Sequence, residues 1–156
     1  MIKVSIPGRG DFEFNNLVLD MNGTIAVDGL VSPMVADLIK VLSRYVHIHI
    51  VTADTHGRVE SQMEIVPAHF ERVHTPGESA QKAGYVRSIG AGTCIAIGNG
   101  SNDAEMLQAA QLSIAVIGDE GCASETLQAA DLVVKRAEDA FNLLINTNRL
   151  IATLRK

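Results

Sequence analysis

Continuous apolar runs alternate with helical repeats along this chain of 156 residues. Runs rich in Ile, Val and Leu, without alternation of polar positions, are typical of strands buried on both faces of a parallel sheet. Five such runs cover residues 17–20, 48–52, 94–98, 113–117 and 132–134. Between them the apolar spacing becomes helical, most clearly after Ser32 and Pro33, which predict an N-cap and a first helical residue. Further helices are predicted over 58–65, 79–89, 103–110, 123–130 and 138–154, the last broken near 146–148.

This alternation predicts a three-layer, Rossmann-like α/β fold, with a parallel sheet, right-handed crossovers and helices on both faces. The first residues differ, because apolar positions alternate there around a Pro-Gly-Arg-Gly turn, which predicts a β-hairpin. The length suits a single domain over 1–156, divided into the hairpin (1–16), the core (17–134) and a C-terminal helix (135–156).

Composition narrows the function classes. Thirteen basic and eighteen acidic residues give a formal net charge of −5, without a basic block, which argues against nucleic-acid binding. No apolar run is long enough to cross a bilayer and no secretory signal is visible, so we expect a cytoplasmic protein without a membrane partner. Cys94 and Cys122 have no metal-ligand spacing and are interpreted as ordinary thiols.

The residues that end the predicted strands are unusually polar, and this edge of an open α/β sheet is where ligands bind. The first strand ends in Asp20, Met21, Asn22, Gly23 and Thr24, the second in Thr52, Ala53, Asp54 and Thr55, and the third in the loop from Gly98 to Asp103. Lys82 lies on the helix before the third of these strands. Carboxylates, hydroxyls, free backbone N–H groups and one ammonium suit phosphoryl transfer with Mg²⁺.

These motifs, in this order, resemble the haloacid dehalogenase superfamily of aspartyl-phosphate-forming phosphohydrolases. DMNGT, VTAD and GNGSNDAEMLQAAQLSIAV are most similar to the phosphorylation domain of P-type ATPases, in its soluble, capless form. The resemblance extends from residue 17 to about residue 134 and implies the strand order of such domains.

The resemblance also implies roles for individual residues. Asp20 would be the nucleophile and a Mg²⁺ ligand, with the backbone carbonyl of Asn22 as a second ligand. The phosphate would be held by Gly23, Thr52, the Ala53 N–H and Lys82, while Asn99 and Asp103 would complete the metal site directly or through water.

Two positions depart from the family pattern. Hydrolytic members usually carry Asp at the position of Asn22, where it protonates the leaving oxygen and activates water, and an amide has no titratable proton for either step. Asn99 replaces a carboxylate metal ligand. We therefore expect either a slow Mg²⁺-dependent phosphohydrolase or phosphotransferase, or a regulatory domain that binds phosphate without useful turnover.

The segments available for a cap domain are too short, which predicts an open site that a second copy or a large substrate covers. Residues 25–31 are expected to form a small flap, and the exposed apolar hairpin is a candidate interface. The expected substrates are phosphorylated small molecules or phosphoproteins. His47 and His49 share one strand face, and such pairs are more often packing residues than metal ligands. His56 follows the predicted phosphate loop and is expected within reach of a substrate.

Overall fold

The fold is built around a parallel sheet. The structure, a computed structural model, describes residues 1–53, 61, 62 and 64–156. Within them six parallel strands lie in the order β10-β9-β8-β3-β6-β7. Their bounds are β3 (Asn16–Asp20), β6 (His47–Thr52), β7 (His69–Arg72), β8 (Cys94–Gly98), β9 (Leu112–Val116) and β10 (Leu132–Val134). The five predicted strands are confirmed.

Helices cover both faces of this sheet, as the sequence predicts. They are α1 (Pro33–Leu42), α2 (Glu78–Ser88), α3 (Ala104–Ala109), α4 (Ser124–Ala129), α5 (Ala137–Ile145) and α6 (Thr147–Leu154). Ser32 caps α1 through a hydrogen bond from the Val35 N–H, and Pro33 is the first helical residue. The predicted break in the last helix falls at Asn146. Half of the predicted helix at 58–65, namely residues 58–60 and 63, lies outside the described residues.

The two faces of the sheet form separate apolar cores. Along β3, Leu17 and Leu19 face the core that α1, α5 and α6 close, whereas Val18 faces the core that α2, α3 and α4 close. Every residue of β3 is buried, because this central strand has a strand on each side and helices on both faces. The three-layer prediction is therefore confirmed.

The N-terminal hairpin consists of β1 (Ile2–Ile6) and β2 (Gly10–Phe14), paired antiparallel. Its apolar side chains, including Val4 and Phe14, are buried in the core that α6 also lines. The expectation of an exposed apolar hairpin is wrong for this reason. The predicted flap does form, as the short pair β4 (Ala26–Val27) and β5 (Leu30–Val31).

The edge strand β7 was not predicted. Its four residues are half-buried or exposed, since among the described residues it pairs with β6 alone, and its sequence HFER lacks an apolar run. Beside it, His49 links three elements of the fold. Its Nδ1 lies 2.8 Å from the Tyr85 hydroxyl and its Nε2 lies 3.1 Å from Asn16 Oδ1. Both ring nitrogens are thus engaged within the fold, which supports packing over metal binding.

His49 should make folding stability sensitive to acid. Burial lowers its pKa below the ordinary value of 6.5, and the charges of His69 and His47 act in the same direction. As the pH falls through 6.5, the unfolded chain takes up a proton at this residue before the folded protein does, so the folded state loses stability.

We expect the drop in unfolding free energy between about pH 8 and about pH 5.5 to be smaller in His49→Gln than in the native protein. Denaturant unfolding at both pH values measures it. The exposed His74→Gln variant is the control and should retain the native dependence, whereas an equal drop in all three proteins would contradict the assignment.

Candidate active site

The candidate site lies at the carboxyl edge of the sheet, where the chain changes direction across it. From β3 the chain continues to β6 on one side and later to β8 on the other. Crevices at such switch points are the usual ligand sites of open α/β sheets. Asp20 ends β3, and Asn99 directly follows β8, so the first and third polar motifs meet here.

A buried ammonium joins the two carboxylates of the site. Lys82 Nζ lies 2.6 Å from Asp20 Oδ1 and 2.7 Å from Asp103 Oδ1. The Lys82 side chain is 1% exposed, that of Asp103 is 0% exposed and that of Asp20 is 10% exposed. Asp20 is thus the member of the trio that reaches the surface, as a nucleophile must.

The surroundings shift the pKa values of Asp20 and Lys82. Burial raises the pKa of the Asp20 carboxyl to about 6, and the charge of Asp103 adds to the rise, while Lys82 and Thr24 act against it. Burial lowers the pKa of Lys82, but the charges of Asp20 and Asp103 outweigh that effect and place it above its ordinary value. Lys82 is therefore a fixed cation, surrounded by more negative than positive charge.

Asp103 organises the loop that follows β8. Its Oδ2 accepts the backbone N–H groups of Asn99, at 3.0 Å, and Gly100, at 2.9 Å. This close turn requires glycine at position 98, because a Cβ there would lie 2.6 Å from the Asp103 Cβ. The carboxylate thereby holds its own loop while its other oxygen positions Lys82.

Thr24 connects the first motif to the third. Its hydroxyl lies 3.0 Å from Asp20 Oδ2 and 2.9 Å from Asn99 Oδ1. The Asn99 Nδ2 donates to the Gly121 carbonyl at 3.0 Å, which fixes the amide with its oxygen towards Thr24. One hydroxyl proton therefore serves two acceptors, and Asp20 and Asn99 each keep oxygen lone pairs for a further partner.

The remaining predicted residues surround this centre. Gly23 has a φ of 78° and passes so close to Asn99 that a Cβ would lie 2.4 Å from its Nδ2. Asn22 is exposed beside it, whereas Thr52 is buried and Ala53 half-buried at the end of β6, next to β3. Asp54, Thr55 and His56 lie outside the described residues.

Sequence reasoning assigned no role to two features of the site. One is Thr24, whose spacing of four residues from Asp20 was a usable signal. The other is a hydrogen bond from Asn102 Nδ2 to Glu78 Oε2, at 2.9 Å. Glu78 lies one turn before Lys82 on α2, so this bond ties the helix that carries the ammonium to the loop after β8.

The donor set suits a hard cation. Within 1–53, 61, 62 and 64–156, no group of three or more His, Cys, Asp or Glu side chains is placed to hold a metal. The oxygens at the centre belong to two carboxylates and the Asn99 amide, and the Asn22 carbonyl remains a predicted ligand; oxygen ligands are those that Mg²⁺ prefers. Asp103 already accepts three donors, which leaves it one lone pair and favours contact through water.

The family model for haloacid dehalogenase-like hydrolases matches residues 62–140, which include Lys82, Asn99 and Asp103. The chain belongs to this family. An uncharacterised protein of Methanocaldococcus jannaschii is 57% identical over 61 residues, which cover 39% of this chain and 66% of that protein, just under two thirds of its length.

Solved structures share the fold at low sequence identity. The 3-deoxy-D-manno-octulosonate 8-phosphate phosphatase of Moraxella catarrhalis, in complex with a magnesium ion, a phosphate ion and a KDO molecule, has a TM-score of 0.64 and 16% identity, over 91% of this chain and 94% of that chain. The Yersinia pestis phosphatase of the same name has a TM-score of 0.70 and 13% identity, over 89% and 84%. A cobalt-bound phosphatase from Haemophilus influenzae has a TM-score of 0.68 and 15% identity, over 92% and 90%.

The fold prediction and the family resemblance are thus confirmed, including the parallel sheet that carries the site. In the described part of the chain, none of the helices has the length and apolar character needed to span a membrane.

Removing the Thr24 hydroxyl should weaken the metal-free protein. Thr24 is buried, and Thr24→Val would leave a carboxylate oxygen and an amide oxygen without their shared donor. We expect a loss of about 1–3 kcal/mol in unfolding free energy, measured by denaturant titration with a chelator present. Thr24→Ser keeps the hydroxyl and should recover most of this loss. An equal loss in both variants would assign the effect to the methyl group instead.

Proposed function

We propose that this chain is a Mg²⁺-dependent phosphohydrolase or phosphotransferase that acts through an aspartyl phosphate on Asp20. The observation that supports this most directly is the position of Asp20, a partly accessible carboxylate at the switch point, in contact with a buried ammonium. The family membership and the phosphatases among the structures of the same fold agree with it.

The chemistry divides into two displacements. An Asp20 carboxylate oxygen attacks phosphorus, an O–P bond forms, and the bond to the leaving oxygen breaks. Lys82 neutralises charge that develops on the phosphoryl oxygens, and the hydroxyl of Thr52 with the N–H groups of Ala53 and Gly23 would bind those oxygens. Water then attacks the acyl phosphate and releases inorganic phosphate, which regenerates the Asp20 carboxylate.

Mg²⁺ would be held by Asp20, the Asn22 carbonyl, Asn99 and, through water, Asp103, and when bound it neutralises charge on the phosphoryl group. The formal charge of this centre differs from that of the usual family site. Mg²⁺ and Lys82 contribute +3 and the two aspartates contribute −2, which leaves +1 because Asn99 is neutral. A dianionic phosphate should therefore bind more tightly here than at a neutral centre.

Slow turnover follows from Asn22. Its amide cannot give a proton to the leaving oxygen or take one from the attacking water, so both proton transfers fall to solvent. General acid–base assistance contributes on the order of 10² to 10⁴ in rate, so we expect turnover to be slower by about this factor than with an aspartate at position 22. Tight phosphate binding and slow turnover would thus occur together.

A regulatory role is the second candidate, and the fixed Asn99 amide is the observation that favours it. The amide is hydrogen-bonded on both sides, to Thr24 and to the Gly121 carbonyl, so the centre is ordered with a neutral group where hydrolytic members use a charge. Such a centre would hold phosphate, or a phosphorylated partner, without useful turnover.

The physiological partners we propose are phosphorylated small molecules or phosphoproteins in the cytoplasm, and a second copy of the chain. The open flap carries exposed apolar side chains at Val27 and Leu30, with Met34 nearby along the chain at the start of α1. Apolar side chains at the rim of an open site suit coverage by a neighbouring copy.

Hydrolysis of an aryl phosphate should require both Mg²⁺ and Asp20. We expect fresh, mass-verified protein to release phosphate with Mg²⁺, and to lose at least about 10²-fold of the rate in Asp20→Asn, since the amide is a poor nucleophile. Asp11→Asn, which removes an exposed carboxylate on the N-terminal hairpin, is the matched control and should retain the rate.

Equal rates in Asp20→Asn and the native protein would contradict the nucleophile assignment. No turnover in either protein, with Mg²⁺ and phosphate still bound by the native protein in calorimetry, would favour the regulatory candidate.

Restoring a carboxylate beside the nucleophile should accelerate turnover. We expect Asn22→Asp to raise kcat by about 10²-fold or more and to give a pH–rate profile with an added ionisation, because a titratable acid then faces the leaving group. Asn22→Gln, an amide one methylene longer, is the control and should show neither change. A rate that stays at the native level in Asn22→Asp would argue against an assembled hydrolytic site.

A further inference from the structure

The chain contains two Asn-Gly steps, at Asn22 and at Asn99, and both lie in the candidate site. Asparagine before glycine is chemically labile, because the glycine nitrogen can attack the side-chain amide carbon without hindrance from a Cβ. The reaction needs an asparagine side chain free to rotate and a glycine nitrogen able to lose its proton. The fold treats the two steps very differently.

Asn99 is held on every side. It is 8% exposed, its amide oxygen accepts from Thr24 and its amide nitrogen donates to the Gly121 carbonyl. The N–H of Gly100, which would have to become the nucleophile, donates to the Asp103 carboxylate at 2.9 Å. Removing that proton would place an amide anion against a buried carboxylate, which electrostatic repulsion opposes.

Asn22 is exposed, and its side chain forms no hydrogen bond with any residue in 1–53, 61, 62 or 64–156. The N–H of Gly23 donates to the Ala26 carbonyl at 2.8 Å, a neutral acceptor in the buried turn that leads into the flap. Loss of the Gly23 proton is therefore not opposed by a directly bonded carboxylate, and the attacked side chain is exposed, whereas the Asn99 step requires the whole centre around Asp103 to open. Motion of an exposed side chain costs far less than the opening of buried, cross-linked segments.

We infer that Asn22 is a site of spontaneous deamidation in the folded protein and that Asn99 is protected. The Gly23 nitrogen bonds to Cγ of Asn22, the Cγ–Nδ2 bond breaks and ammonia leaves, which gives a cyclic imide. Water then opens the ring. Attack at Cγ gives aspartate with the original backbone, and attack at the main-chain carbonyl gives isoaspartate, which lengthens the backbone by one carbon.

The consequence for activity rests on the proposed function. The aspartate product places a carboxylate two residues after the nucleophile, where this chain otherwise has an amide without a titratable proton. The isoaspartate product displaces the turn that follows Asp20. Ageing would therefore divide the population into a faster hydrolase and a disrupted form. The activity of the protein would then change with its age through the conversion of Asn22.

Incubation of the full chain at mildly alkaline pH, followed by peptide mass mapping, tests the site itself. We expect conversion at Asn22 to exceed conversion at Asn99 by about tenfold or more in the folded protein. In concentrated urea the two steps should convert at similar rates, because both are then Asn-Gly in flexible chain. Fragmentation that separates aspartate from isoaspartate gives the share of each product.

Two outcomes would overturn the inference. One is conversion at Asn99 equal to or ahead of Asn22 in the folded protein. The other is no conversion at Asn22 during a period in which the urea sample converts at both positions. Asn22→Gln is the matched control variant, since the longer side chain disfavours the ring and should remove the signal at this position alone.

Aryl phosphatase activity along the same time course tests the consequence separately. Activity should rise with the aspartate fraction, towards the rate of Asn22→Asp, whereas Asn22→Gln, whatever its own starting rate, should show no such rise over the time course. If mass mapping finds conversion at Asn22 while Asn22→Asp itself shows no gain, the deamidation site stands and the proposed hydrolytic role of this position fails.

Discussion

The buried ammonium of Lys82 is the interaction on which the site depends. Lys82 offsets the repulsion between the carboxylates of Asp20 and Asp103, which the fold places around the same buried ammonium. Lys82 reaches them from α2, so its position fixes that helix against the ends of β3 and β8. The bond between Glu78 and Asn102 ties the start of the same helix to the same loop, which adds a second constraint one turn away.

This centre keeps one net negative charge before any ligand arrives. Burial is the main reason for the raised pKa of Asp20, and the charge of Asp103 adds to it, so that together they outweigh Lys82 and Thr24. The proposed Mg²⁺ would offset the negative charge of the centre, and the unused lone pairs of Asp20 and Asn99 are where it would bind. The buried charges at the carboxyl edge of the sheet therefore belong to the site, while the apolar cores on both faces of the sheet stabilise the fold.

The two asparagines have opposite structural settings, although each is followed by glycine. Asn99 is part of the hydrogen-bond framework, since it links Thr24 to the Gly121 carbonyl. Asn22 is exposed on the turn that leads into the flap. A substitution at position 99 would disturb the framework, whereas a substitution of the exposed Asn22 side chain should leave these hydrogen bonds in place.

The sequence by itself determined the central strands, the capped helix after Ser32 and the polar residues at the strand ends, because apolar periodicity and capping are local properties of the chain. It missed β7, whose half-exposed residues carry no apolar pattern, and it left Thr24 without a role. Only the tertiary structure decided that Lys82 contacts Asp20 across 62 residues of sequence and that the apolar side of the N-terminal hairpin is buried. It also decided that the Asn99 side chain is buried and hydrogen-bonded while the Asn22 side chain is exposed. Those outcomes depend on which distant segments pack together. The order of the strands in the sheet brings these atoms into contact, and the spacing of residues along the chain does not reveal that order.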